Sequence, residues 1–158
     1  MSEERNRLLD VRLDEASLAP ASPNVEHERR IAVFDLREAN SFEVVGEDQG
    51  PYVLALSLTE GRLVLDVSAH GGSRVCLHQV PMASIRKLIK DYLFICDSYH
   101  NAIRTAAPSQ IEAIDMGRRG LHNEAAEVLT EALAGKIKVD VETARRLFTL
   151  VCALHVRG

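Results

Sequence analysis

The chain has 158 residues, which is the size of one ordinary domain. Its apolar fraction of 46%, charged fraction of 27% and net charge of −4 are those of an ordinary globular protein. These values exclude a disordered chain, a collagen, a disulfide-rich scaffold and a strongly basic nucleic-acid-binding protein. Only 4% of the residues are aromatic and none is Trp, so few rings are available for a base-stacking platform.

The three cysteines predict buried free thiols rather than a metal or redox site. Cys76, Cys96 and Cys152 are far apart, and the sequence contains no C-x-x-C pair. The start of the chain lacks an apolar signal-peptide core, and no apolar run approaches the ~18 residues that span a membrane. We therefore expect a cytoplasmic protein that does not enter a membrane.

Charge is distributed unevenly along the chain. Residues 1–50 carry a net charge of −6 (12 acids and 6 bases), whereas residues 81–158 carry +2 (9 acids and 11 bases). This difference can orient docking between subunits or with a partner, but it is too weak to indicate nucleic acid. We expect a protein partner or self-association in preference to nucleic acid, with a small anionic ligand as a further candidate.

The first half of the chain predicts a disordered tail, an edge strand, one helix and three antiparallel strands. Pro23 after Ser22 is typical of a helix start. The short glycine-bearing turns Glu60-Gly61 and Gly71-Gly72 are typical of connections between antiparallel neighbours. The predicted ranges are 1–7 for the tail, 8–13 for the edge strand, 23–40 for the helix, and 52–58, 62–68 and 74–80 for the three strands.

The second half predicts four helices with short connections. In the first of them, apolar residues recur on one helical face from Ile85 to Ile103. Gly117 and Gly120 bracket two arginines and predict a turn, after which Asn123 would cap the next helix. The predicted ranges are 81–105, 108–118, 123–134 and 141–156.

Together these elements predict a single α+β domain over residues 1–158. A small antiparallel meander of three or four strands is expected to pack against a bundle of about five helices. The last helix, residues 141–156, is apolar on most sides, so we expect it to be the central buried helix with Asp140 as its N-cap. No linker rich in Pro, Gly or Ser divides the chain.

The densest polar segment runs from Glu112 to Glu124. As an anion site, its two arginines and a helix N-terminus would face a phosphate or carboxylate, and His122 would donate a proton. A metal site would instead use Glu112, Asp115 and His122, but this is the least favoured interpretation. In the structural interpretation, which we favour, Asp115 pairs with an arginine, Asn123 caps a helix and Glu124 complements the helix dipole.

Other polar and aromatic residues extend this list of candidates. If His27 or Glu28 of the first helix faced the arginine turn, the two segments would form one composite site. Two arginines at the start of the last helix are candidates for structural ion pairs, and two phenylalanines without a place in the core are candidates for an interface. The candidates are His27, Glu28, Asp115, Arg118, Arg119, His122, Asn123 and Glu124 for an anion or partner site, Arg145 and Arg146 for ion pairs, and Phe42 and Phe94 for an interface.

Five segments resemble a single-domain family of uncharacterised bacterial proteins known chiefly from alphaproteobacteria. These segments are 25–29 (VEHER), 31–36 (IAVFDL), 110–120 (QIEAIDMGRRG), 122–124 (HNE) and 143–150 (TARRLFTL). The resemblance implies a bacterial, single-domain, cytoplasmic protein, and it brings no catalytic residue with it. At His100 the chain departs from the second tyrosine that the family leads us to expect after Tyr99.

The sequence favours a non-enzymatic regulatory or protein-interaction module, which could act as a homodimer. This hypothesis rests on the absence of phosphate-loop, dinucleotide, nucleophile-elbow and H-E-x-x-H motifs, so no cofactor or metal is assigned. The alternative is a small-ligand or phosphate-processing enzyme, or an anion-binding protein, centred on the Arg118–Glu124 turn. Nucleic-acid binding is the least favoured hypothesis.

Overall fold

The computed structural model describes residues 2–14, 16, 18 and 23–154. It confirms the α+β class, with four long helices in the described residues rather than about five. Ser22, predicted as an N-cap, and residues 155 and 156 of the predicted last helix lie outside the described residues. The elements are α1 (Ser2–Arg5), β1 (Leu8–Leu13), α2 (Pro23–Glu38), β2 (Phe42–Val44), β3 (Tyr52–Thr59), β4 (Arg62–Ala69), β5 (Arg74–Pro81), a 3-10 turn (Met82–Ser84), α3 (Arg86–Thr105), α4 (Pro108–Leu133), β6 (Ile137–Val139) and α5 (Val141–Leu154).

The main sheet has four strands in the order β1-β3-β4-β5. The antiparallel meander β3-β4-β5 is confirmed, but β1 pairs in parallel with β3, so the sheet is mixed. Since α2 carries the chain from β1 back along the sheet, β3 starts at the same end as β1. Residues 1–7, predicted to be a disordered tail, contain the single helical turn α1.

A second, two-stranded sheet joins β2 to β6 in antiparallel fashion, and the sequence did not predict it. Each of these strands has only three residues, which is too short for an alternating pattern to be recognised. Beside them, the Ser41 N–H donates to Thr143 Oγ1 at 2.9 Å, although the two residues are 102 apart in sequence. The small sheet and this bond connect the end of α2 to the start of α5.

The core lies between one face of the main sheet and the helices, and α5 runs through it. This helix packs against α2, α4 and β3. Asp140 Oδ1 accepts a hydrogen bond from the Thr143 N–H at 2.9 Å, so the predicted N-cap is confirmed. Fully burying one aliphatic side chain stabilises a fold by about 1.5–3 kcal/mol. The buried residues of α5 are Thr143, Ala144, Leu147, Phe148, Leu150, Val151, Cys152, Ala153 and Leu154.

The predicted turn between Gly117 and Gly120 is wrong, because α4 is one continuous helix of 26 residues. An interior glycine costs a helix only about 1 kcal/mol relative to alanine, and tertiary packing outweighs that cost. A Cβ on Gly117 would lie 2.9 Å from Ile95 Cδ1, so the glycine lets α3 and α4 approach closely. Asn123 is consequently an interior helical residue and not an N-cap, while Gly135 follows the helix with φ of +94°, as a C-terminal glycine should.

All three cysteines are free thiols in the structure, as predicted. Cys96 and Cys152 are buried, and burial raises the pKa of the Cys96 thiol to about 11 and that of Cys152 well above its usual value. Both therefore stay protonated at neutral pH and behave as small apolar groups. In the part of the chain that the structure describes, no helix has the length and apolar character needed to cross a membrane.

Candidate functional site

A cleft of about 420 Å³ opens between α2, α4 and α5. Its volume falls within the range of small-molecule sites. One wall is formed by α2, the other by α4 and α5, and Tyr92 of α3 also lines it. The cleft brings together parts of the chain that are far apart in sequence, including the polar segment of α4.

The α4 side of the cleft carries Arg118, Arg119 and His122. Because α4 is continuous, Arg118 and His122 lie four residues apart on one helical face instead of on either side of a turn. Asp115, one turn earlier, contacts both arginines: Nη2 of Arg118 lies 2.6 Å from Oδ1, and Nη2 of Arg119 lies 2.6 Å from Oδ2. One carboxylate thus holds two guanidinium groups side by side, and the hydrogen bond from Arg118 lowers the pKa of Asp115.

The two arginines are held differently. Arg118 is half-buried, and its Cζ lies 4.5 Å from the centroid of the Tyr99 ring, which is cation–π distance. The Arg119 side chain is 68% exposed, and its one ion pair among the described residues is with Asp115. A guanidinium has five N–H donors, so Arg119 keeps donors available to a ligand.

His122 is fixed in one tautomer by α5. Its Nε2 lies 2.9 Å from the carbonyl oxygen of Arg145 and 3.1 Å from Thr149 Oγ1. Since a carbonyl oxygen can only accept, we assign the proton to Nε2. Nδ1 then keeps its lone pair and has no hydrogen-bond partner among the described residues. The ring stacks on Tyr92 with centroids 5.0 Å apart.

Burial lowers the pKa of His122, and the neighbouring charges of Arg145 and Arg118 lower it further, against a hydrogen bond to the Arg145 carbonyl that acts in the opposite direction. The imidazole is therefore neutral at pH 7. The sequence predicts a proton donor at this position, but the Nε2 proton is already donated to α5. His122 instead offers the cleft a hydrogen-bond acceptor at Nδ1.

The α5 side of the cleft carries the ion pairs predicted for its two arginines. Arg145 Nη1 lies 3.1 Å from Glu142 Oε2. Arg146 Nε lies 3.9 Å from Asp35 Oδ2, and its Nη1 donates to the Ala39 carbonyl at 3.4 Å. The second ion pair is too long for a hydrogen bond, so Arg146 and Asp35 are both open to a better partner.

The α2 wall presents two carboxylates with apolar side chains between them. Glu28 and Asp35 lie two turns apart on one face, and Ile31 and Ala32 lie between them. Glu28 Oε2 is 3.7 Å from His100 Nε2, which is beyond hydrogen-bond distance. Neither carboxylate side chain has a hydrogen bond to any residue that the structure describes.

Some of the predicted site residues line the cleft and others lie outside it. Of the two α2 residues proposed for a composite site, Glu28 lines the cleft with the arginines and His122, whereas His27 is exposed and lies outside the lining. Asn123 is exposed and lines a different groove of about 560 Å³, beside Val141. Glu124 is exposed and lines neither the cleft nor that groove.

The metal interpretation of Glu112, Asp115 and His122 is wrong. Among the described residues, no three His, Cys, Asp or Glu side chains are grouped as the ligands of a metal ion. Glu112 is exposed, and Asp115 is taken up by two arginines.

The two interface candidates differ in exposure, since one is buried and the other is exposed. Phe42 is wrong as an interface residue, because it is 0% exposed and packs against Tyr52 with ring centroids 6.1 Å apart. It begins β2, the short strand that the sequence did not predict. Phe94 is 74% exposed on α3, which keeps it available to a partner. Phe34 of α2 is also exposed, at 62%.

Sequence reasoning missed several residues of the cleft. The spacing of seven residues from Glu28 to Asp35 would have placed both on one helical face, and the spacing of four from Arg145 to Thr149 does the same on α5. No sequence signal shows that these two faces meet. Tyr92 was assigned to the core, and it is buried, yet it also lines the cleft.

The fold and the cleft define a small α+β protein with a charged pocket between helices. The chain belongs to the uncharacterised protein family UPF0262, whose model matches residues 5–157. This confirms the resemblance found in the sequence.

Relatives in this family come from several alphaproteobacteria. The chain is 55% identical over 159 residues to a UPF0262 protein of Rhizobium meliloti (strain 1021), with all of both chains covered. It is 56% identical over 153 residues to one of Brucella canis, covering 96% of this chain and 95% of the relative. A UPF0262 protein of Hyphomonas neptunium is 56% identical over 150 residues, covering 95% of this chain and 93% of the relative. No solved structure matches the chain.

Proposed function

We propose that this protein is a non-enzymatic regulatory module of the bacterial cytoplasm that binds a small anionic ligand in the cleft between α2, α4 and α5. The observation that carries the proposal is the arginine pair of α4. Asp115 holds Arg118 and Arg119 side by side, and Arg119 faces the cleft with most of its donors unused. The three free thiols support the cytoplasmic setting.

Binding is favoured by preorganisation. Arg118 is held between Asp115 and the Tyr99 ring, and Asp115 also holds the guanidinium of Arg119, so less side-chain entropy is lost when the pair binds an anion. A hydrogen bond to a charged group contributes about 1.5–3 kcal/mol. The neutral His122 is committed to α5 through Nε2, which suits a positioning role better than proton donation.

The position of the cleft supports a regulatory role. Its ligand would contact α2 on one side and α4 and α5 on the other. A ligand that binds only the folded state stabilises it by RT ln(1 + [L]/Kd), which is about 2.7 kcal/mol at 100 times Kd. Binding would therefore lock the relative placement of three helices.

Calorimetric titration with two probes, inorganic phosphate and glutarate, tests the proposal. We expect at least one probe to bind the wild-type protein, and Arg119→Gln to weaken that binding at least about tenfold, since one charge-assisted hydrogen bond is lost. Arg86→Gln is the matched control, because Arg86 is an exposed arginine of α3 outside the cleft. Binding of neither probe, or equal loss in both variants, would refute an anion site.

A further inference from the structure

The cleft is polarised across its width, with two acids that have only long contacts to basic groups on one wall and four arginines on the other. We propose that the ligand is a zwitterion of the α-amino-acid class with an apolar side chain, whose carboxylate faces α4 and α5 and whose ammonium group faces α2. This inference rests on the proposed function, because it names the ligand of the same site.

The α2 wall supplies the evidence for a cation. Glu28 and Asp35 both line the cleft, and neither side chain has a hydrogen-bond partner among the described residues. Asp35 lies 3.9 Å from Arg146, and Glu28 lies 3.7 Å from a histidine nitrogen. A carboxylate that lines a cleft with its oxygens uncommitted is a ready acceptor for an ammonium group.

The opposite wall supplies the evidence for an anion. Its arginines come from two helices. Arg119 pairs with Asp115, which it shares with Arg118, and Arg145 pairs with the exposed Glu142. The lining as a whole holds four arginines and three carboxylates, so it is nearly neutral. A ligand with only negative charge would be attracted by the arginines but repelled by the carboxylates of Glu28 and Asp35, whose contacts to basic groups are too long for hydrogen bonds. A zwitterion can place its ammonium group against the α2 carboxylates and its carboxylate against the arginines.

His122 fits the same ligand. Because its Nε2 proton is donated to the Arg145 carbonyl, its Nδ1 can only accept a hydrogen bond while the ring is neutral. An ammonium group has three donors, so it can donate to one α2 carboxylate and keep donors for Nδ1. A phosphate ion or a simple carboxylate at neutral pH has no comparable set of donors to offer this nitrogen.

The apolar lining indicates the side chain. Ile31 is 45% exposed at the cleft, Ala32 lies beside it, and the Tyr92 ring lies on the α3 side. Ile31 and Ala32 are placed between the two carboxylates of α2, so an aliphatic group there is flanked by the charges that would hold the ammonium. An aliphatic amino acid fits this arrangement better than a second charged group.

The experiment compares amino acids with the same acids lacking the amino group. Calorimetric titration of the full chain with L-leucine and 4-methylpentanoate, and with L-glutamate and glutarate, isolates the contribution of the ammonium group. We expect leucine to bind at least tenfold more tightly than 4-methylpentanoate, and by a wider margin than glutamate over glutarate. Glu28→Gln should weaken leucine binding and make 4-methylpentanoate bind more tightly, because it removes both the acceptor for the ammonium group and a charge that repels the anion.

Two further variants complete the test. Glu38→Gln removes an exposed acid of α2 outside the cleft and should preserve the preference for leucine. If Glu28→Gln does not fold, Asp35→Asn removes the other α2 carboxylate of the cleft, and its effect on the preference for leucine is measured instead. Equal binding of each amino acid and its partner acid, with both weakened by Arg119→Gln, would overturn this inference and leave the anion site standing. Binding of none of the four probes would overturn both.

Discussion

Asp115 determines the geometry of the cleft although it is not part of the lining. It places the guanidinium groups of Arg118 and Arg119 on its two oxygens, three and four residues further along α4. Two arginines adjacent in sequence would otherwise diverge by about 100° around a helix. The Asp115 carboxylate therefore brings the guanidinium groups of Arg118 and Arg119 together, so that both can face one ligand.

The lowered pKa of His122 predicts that the stability of the fold depends on pH. Burial lowers its pKa in the folded protein, so below about pH 6.5 the unfolded chain binds the proton more readily and stability is lost as the pH falls. We expect the melting temperature of the wild type to fall further between pH 7.5 and 5 than that of His122→Gln, whose side chain does not titrate. Thermal unfolding at a series of pH values measures the difference.

The control for this prediction is His70→Gln, which changes an exposed histidine in the turn between β4 and β5. It should keep the wild-type dependence on pH. Parallel profiles for the wild type and His122→Gln would show that His122 is protonated equally in the folded and unfolded chains, contrary to the lowered pKa.

At the scale of elements, α4 shows how local signals are overruled. Two glycines around two arginines are typical of a turn, yet the helix continues because Ala125, Leu129 and Leu133 on its later turns are buried in the core. The consequence for the site is direct. A turn would have separated Arg118 from His122, whereas the continuous helix keeps them on one face.

The two glycines of α4 should respond differently to alanine. Nothing lies within 4 Å of a Cβ built at Gly120, so Gly120→Ala should raise the free energy of unfolding by about 0.5–1 kcal/mol through helix propensity alone. At Gly117 the new Cβ would meet Ile95 Cδ1 at 2.9 Å, so Gly117→Ala should gain less or lose stability. Urea denaturation measures both, and equal gains would contradict the close packing of α3 on α4.

The accuracy of the sequence predictions follows the length and periodicity of each element. Strands β3 and β4 alternate over eight residues each, and the apolar stripe of α3 extends over most of its length, so these elements were predicted correctly. Strands β2 and β6 have only three residues each, so the sequence pattern could not predict them. The direction in which β1 pairs depends on which end of the sheet the chain reaches after α2. The alternation of residues within a strand does not indicate this direction.

The candidate site was predictable only in part for a related reason. The polarity of α4 indicated Arg118, Arg119 and His122, and the possibility of a contact with Glu28 could be stated. That Asp35 faces Arg146, and that Ile31 lines the same cleft, depends on the packing of α2 against α5. That packing is a tertiary contact between segments more than a hundred residues apart.

At the scale of the whole molecule, self-association stays a prediction. The charge polarity of the chain and the 74% exposure of Phe94 support a contact between two copies. We expect light scattering after size exclusion to show a dimer that becomes more populated as the protein concentration rises. Phe94→Ser should shift the population to monomer.

Phe34→Ser is the control for that contact, because Phe34 is similarly exposed but lies on α2. It should leave the dimer intact. A wild-type protein that stays monomeric at every concentration, or equal loss of the dimer in both variants, would show that Phe94 is not at an interface.

The two-stranded sheet β2-β6 has a consequence for the order of folding. It and the Ser41–Thr143 hydrogen bond close a loop of about a hundred residues, and the entropic cost of closure grows with loop length. Hairpins such as β3-β4 and the α3-α4 pair close far shorter loops and form earlier. Because the small sheet aligns the end of α2 with the start of α5, we expect the acidic and basic walls to come together late in folding. A partly folded chain therefore holds every residue of the pocket and still has no binding site.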